Sequence, residues 1–209
     1  MDLAGPCNVR DTAVVWLRER GDTLLLEGFV GMSDDAALFA LTRKLTARGE
    51  VSVGLDAPLS YNPGGGDRPA DASLRRVIVD AGLKPGSVMA PTMTRIACLA
   101  LRGVVVARGL EAVASARLRI VEVHPAATMV LRGAPAEMVR GLKRSRDARR
   151  KLGLWLHDQG LPGLRALCNP NAHTLAAAAA ALAAWRWSRA SPAWLWPAAP
   201  PHHPYDFAC

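Results

Sequence analysis

The stretch VSVGLDAPLS, residues 51–60, alternates β-branched and small residues, reaches a carboxylate at Asp56 and turns at once on Pro58. An apolar strand that closes on an acid either caps a turn or holds that acid where a rigid sheet can aim it. The residues before it decide the fold class. TAVVWLRER and TLLLEGFVG, separated by Gly21 and Asp22, read as a hairpin. SDDAALFALTRKLTARG follows, with Ser33 as N-cap, acids in the first turn, Ala37, Leu38, Leu41 and Leu45 at helical spacing, and Gly49 as the stop. Strand, strand, helix, strand implies an α/β sheet with a hairpin at its edge and with residues 51–55 parallel to the first strand.

Beyond this strand lies a Gly- and Pro-rich loop, YNPGGGDRPAD, and then a short basic helix from Ala72 to about Ala81. A second helix follows PTMTR. RIVEVHP, residues 119–125, is a further strand that again places an acid, Glu122, near its end. NAHTLAAAAAALAAWRW reads as one long helix. The expected domain spans residues 1–187, and the proline-rich tail from Ser188 shows no periodicity and reads as irregular or weakly docked.

The 209 residues, half of them hydrophobic, suffice for one sizeable core. A formal charge of +8 favours polyanionic partners, nucleic acid first. Much of that charge sits in RGLKRSRDARRK, residues 140–151, where the absence of interleaved aromatics suits phosphates better than bases. Cys7, Cys98, Cys168 and Cys209 form no CxxC pair, so neither a zinc knuckle nor a disulfide framework is readable. MDLAGPCNVR has no basic lead or apolar core of a signal peptide, and LAAAAAALAAW is too short to span a bilayer. The expectation is a soluble, cytoplasmic protein with no membrane partner.

Asp2, Asp56 and Glu122 each stand beside apolar strand residues just before a turn. Neighbouring parallel strand ends converge at one edge, which makes the three a candidate catalytic set. Gathered carboxylates repel unless a cation lies between them, and hard oxygen ligands suit Mg²⁺ or Mn²⁺. His124 shares the strand face of Glu122, while Trp185 and Trp187 either stack on bases or anchor the tail.

Taken in order, DLAGP, GLDAPLS, DRPADASLRR, PTMTRIACLALRG and VEVHPAATMVLRG resemble the bacterial and archaeal family filed as domain of unknown function 429, whose members are predicted RNase H-like nucleases. The resemblance covers roughly residues 2–187. It implies an RNase H-like α/β fold and divalent-metal phosphodiester hydrolysis in nucleic acid. It makes Asp2, Asp56 and Glu122 metal ligands, with His173 a partial substitute on the last helix. Arg68, Asp71, Arg75, Thr92, Thr94 and Arg95 match the polar segments expected along the cleft, and Lys143 falls on a position that is often Lys in the family.

Two departures from the family pattern bear on activity. The family's first strand precedes its first acid, whereas Asp2 here follows Met1 alone; either the start lies upstream or the first strand is very short. The family pattern also has an acid three residues after the helix His, where this chain has Ala176. Besides a nuclease, the sequence accommodates a catalytically dead nucleic-acid-binding protein of the same fold, or a small-molecule phosphotransferase.

Overall fold

The computed structural model describes residues 1–114, 116–166 and 170–209, so Cys168 lies outside the described residues. The chain is a mixed α/β protein. β1 (Ala13–Arg20) and β2 (Thr23–Gly31) form the antiparallel hairpin, and Gly21 takes the positive φ of 59° that its two-residue turn requires. α1 (Asp35–Thr46) begins one residue later than the sequence suggests. Asp34 rather than Ser33 is the N-cap, its carboxylate accepting from the Ala37 amide at 2.8 Å, while Ser33 is buried behind it.

β3 (Val51–Leu55) then enters parallel to β4 (Leu118–Val123), with Val51 opposite Leu118 and Leu55 opposite Glu122. Between them run α2 (Pro69–Asp80) and α3 (Thr94–Val113). α2 starts three residues before the expected Ala72, because Pro69 supplies a preset φ at the first turn and Asp71 caps the Arg68 amide at 3.0 Å. Asp2 bridges to Ala13 antiparallel and to Asp56 parallel, so the first residues join the hairpin to β3.

After β4 come α4 (Pro125–Leu131), α5 (Ala136–Gly141), α6 (Arg146–Asp158) and α7 (Ala172–Ser188). Leu38, Val53, Leu55, Val106, Leu110 and Ile120 pack α1 and α3 on one face of the sheet. α7 covers the other and is buried along most of its length, because its run of alanines lets the backbone come close. Gly54 is the matching small residue on β3: a Cβ there would stand 2.3 Å from the Ala180 carbonyl oxygen.

The tail corrects the sequence reading. β5 (Leu195–Trp196) and β6 (Phe207–Ala208) extend the sheet in the order β3-β4-β6-β5, with β6 parallel to β4. Trp187 donates to Asp206 at 2.7 Å, Tyr205 to Glu111 at 2.9 Å, and the Ala193 and Trp194 amides to the Cys209 carbonyl. Two-residue strands carry no readable alternation, and these are specified by side-chain anchors instead. Trp185 is buried in the core, so both helix-end tryptophans hold structure. Among the described residues, no helix is long and apolar enough to cross a membrane.

Candidate functional site

Strand parity sorts the three acids. Asp2 and Asp56 are bridge partners, and paired residues share a face. Glu122 is opposite Leu55, so it shares the face of Leu55, while Asp56, one residue on, turns with Gly54 toward α7. The structure thus brings Asp2 and Asp56 together and assigns Glu122 to a separate cluster.

In the first cluster the Asp2 and Asp56 side chains are within hydrogen-bonding reach of one another. Burial, followed by the neighbouring Asp2 charge, raises the Asp56 pKa well above the carboxylate range. His173, in the first turn of α7, donates from Nδ1 to Asp2 Oδ2 at 2.8 Å, and its Nε2 lies 3.6 Å from Asp11 Oδ1. That hydrogen bond to Asp2 raises the imidazole pKa, with burial opposing. His173 therefore orients Asp2 through Nδ1, and its Nε2 faces Asp11. Lys143, exposed in the turn between α5 and α6, adds positive charge felt by both Asp56 and His173. Sequence reasoning missed Asp11 and the Met1 ammonium, which also acts on Asp56; nothing in NVRDT marks Asp11 as part of a site.

The second cluster is closed. Arg68 is 4% exposed and Glu122 2%. All five N–H donors of Arg68 are used: on Asp71 at 2.9 and 2.7 Å, on Glu122 at 2.9 and 2.6 Å, and on Ser60 Oγ at 3.0 Å. Glu122 Oε2 also accepts from the Leu59 amide at 2.9 Å. The expected substrate contacts of Arg68 and Asp71, and the metal-ligand role of Glu122, are corrected on this ground: the groups saturate one another. Arg75 likewise forks onto Asp67 and donates to the Val88 carbonyl at 3.2 and 3.0 Å. Thr92 accepts from the Gly66 amide at 2.9 Å, and exposed Thr94 and Arg95 open α3. His124 caps α4 through Ala127 and meets the Ser87 carbonyl at 2.7 Å, which accounts for it structurally.

Two carboxylates with one proton-sharing contact are the donor set in which a divalent cation replaces a proton. Asp2 and Asp56 fit one Mg²⁺ or Mn²⁺ as hard oxygen ligands. Among the described residues no three His, Cys, Asp or Glu side chains converge into a ready metal cage.

The raised Asp56 pKa has a signed consequence for stability. Between the unfolded value of 3.8 and the folded one, the native state holds a proton that the unfolded chain has lost, so stability falls as pH rises through that window. In chelator, Asp56→Asn is expected to flatten the fall of Tm above about pH 4 relative to wild type. Parallel Tm–pH profiles for the two proteins would show that Asp56 carries no such strain.

The family model described as "Protein of unknown function (DUF429)" matches residues 2–201. No curated protein and no solved structure matches the chain.

Proposed function

The chain belongs to this family of proteins of unknown function, and from that premise and the site we propose that it is a divalent-metal-dependent nuclease of RNase H-like architecture. The carrying observation is the Asp2–Asp56 carboxyl pair on adjoining strand ends, with His173 bonded to Asp2 and Lys143 nearby. A bound Mg²⁺ or Mn²⁺ supplies Lewis-acid stabilisation of a phosphoryl oxygen during hydrolysis. Asp2 and Asp56 hold that ion, His173 and Asp11 fix the Asp2 carboxylate, and Lys143 attracts the phosphate backbone. The substrate is nucleic acid and the compartment the cytoplasm.

The test is cleavage of a labelled oligonucleotide with Mg²⁺, with Mn²⁺ and with chelator. Slow cleavage, faster in Mn²⁺ and lost in Asp56→Asn, is the expected result. Cleavage that survives chelator or Asp56→Asn rejects this reading.

A second reading, a binding protein of the same fold without chemistry, is favoured by Ala176. It stands one helical turn from His173, where the resemblance places an acid. The two readings share one binding prediction. Much of the basic segment is engaged internally, since Arg150 and Lys151 pair with Asp147 and Arg149 donates to the Leu142 carbonyl. Exposed Lys143 is felt by Asp56 and His173, and exposed Arg144 follows it in the chain. Substituting both with Ala is expected to lower the salt slope of duplex binding by about 1–2, at roughly 0.9 per phosphate contact. An unchanged slope would place the phosphate contacts elsewhere.

A further inference from the structure

Two arginines come together where α4 and α7 end. Arg132 is the C-cap residue of α4, and Arg186 stands in the last turn of α7. Both converge on Ser191: Arg132 donates from Nη2 to the Ser191 carbonyl at 2.7 Å, while the Ser191 amide and hydroxyl donate to the Arg186 carbonyl at 2.8 and 3.2 Å. Arg186 donates from its own Nη2 to the Gln159 carbonyl at 3.5 Å, and its guanidinium lies over the buried Trp185 ring, 4.4 Å from the centroid.

Neither guanidinium forms an ion pair among the described residues. Arg189, over the same ring, differs, because Glu19 and Asp22 meet its charge. Arg132 Nε, Arg186 Nε and Trp185 Nε1 are buried donors without a hydrogen bond, whereas buried donors in native proteins have partners. The Nη1 group of each arginine also lacks a partner and is not fully buried, which makes it the end open to a ligand. Burial, followed by the Arg186 charge, lowers the Arg132 pKa. Cys209 supplies no counter-charge, since burial pushes its thiol up to about 12. The helix C-termini offset about half a unit of charge each, which leaves the pair net positive.

We infer that Arg132 and Arg186 form a binding site for a phosphate dianion, either inorganic phosphate or a phosphomonoester, received at their Nη1 groups. Two neighbouring cations without an acid call for two negative charges on one compact group. A phosphomonoester carries about −1.5 to −2 at pH 7 with three acceptor oxygens, whereas a nucleic-acid backbone spreads single charges along a chain. The arginines are also oriented before a ligand arrives, Arg132 by the Ser191 carbonyl and Arg186 by Gln159 and the face of Trp185, so little freedom is lost per hydrogen bond formed. At a rise of about 1.5 Å per residue, Arg186 lies about 20 Å along α7 from His173. The site is therefore separate from the Asp2–Asp56 pair and does not rest on the nuclease reading.

The test titrates the protein with inorganic phosphate in chelator at constant ionic strength, followed by calorimetry and by the arginine Nε–H resonances. Wild type should bind one phosphate in the millimolar range. The Nε–H signals of Arg132 and Arg186 should shift, while that of Arg68, whose donors are all taken, should stay in place. Arg132→Gln and Arg186→Gln, checked for folding by circular dichroism, should each weaken binding at least about tenfold, and Arg189→Gln should not. Absence of saturable binding overturns the site, as do unmoved Arg132 and Arg186 signals in wild type or full affinity in either folded variant. Binding of a duplex without terminal phosphates that falls in both variants, with no binding of inorganic phosphate, overturns this ligand in favour of a nucleic-acid backbone. None of these readouts depends on nuclease activity.

Discussion

Arg68→Ala should be the most destabilising single substitution near the site, costing about 3–5 kcal/mol, because it leaves two buried acids without their shared cation. Glu122 and Asp71 are each 2% exposed, and both receive paired donors from this one guanidinium. For a chain of this size that loss corresponds to a fall in Tm of roughly 6–20 °C. Glu122→Gln should cost less, since Arg68 keeps Asp71 as a counter-charge. Arg68→Lys should fall between them, retaining charge but not the fork that spans both carboxylates. Urea melts of the three variants give the order directly. A loss under about 1 kcal/mol for Arg68→Ala would mean that the network is screened like a surface pair.

The other large effect is on activity. Ala176→Asp should raise Mg²⁺-dependent cleavage, because Ala176 lies one turn from His173 on α7 and an acid there adds a third oxygen donor beside Asp2 and Asp56. Adding Asp56→Asn should remove the gain and lower the rate at least about 100-fold, the equivalent of about 2.7 kcal/mol of lost transition-state stabilisation. Ala176 is only 8% exposed, so the new carboxylate also adds repulsion to a crowded acid pair when no cation is bound. The variant should therefore melt lower than wild type in chelator and regain more Tm on addition of Mn²⁺. Activity unchanged by Ala176→Asp, with cation-dependent melting also unchanged, would favour the binding protein over the enzyme.

The hairpin, β3, β4 and the two long helices are legible in the sequence because each carries a full period of its pattern and a punctuating Gly, Pro or acid. Asp2 and Asp56 were legible as partners because each stands beside apolar strand residues before a turn, and parallel strands bring such ends together. Glu122 looks identical in sequence but differs by one residue of register. Its partner is Leu55, and a shift of one places a side chain on the opposite face. Register parity is a tertiary fact, set by how β3 and β4 pair. The tail was unreadable for another reason. Phe207 and Ala208 are too short a strand to show alternation, and their place beside β4 rests on distant anchors such as Trp187 with Asp206. Asp11 reaches the site through an irregular loop and a 3₁₀ turn that no spacing announces.

The proposed enzyme holds one divalent cation between Asp2 and Asp56, without Glu122. Mn²⁺ titration followed by electron paramagnetic resonance or calorimetry tests it most directly. Wild type should bind one Mn²⁺, Asp56→Asn should weaken that binding at least about tenfold, a change of about 1.4 kcal/mol, and folded Glu122→Gln should leave it nearly unchanged. Equal Mn²⁺ affinity in wild type and Asp56→Asn, or loss of binding in folded Glu122→Gln alone, would contradict it.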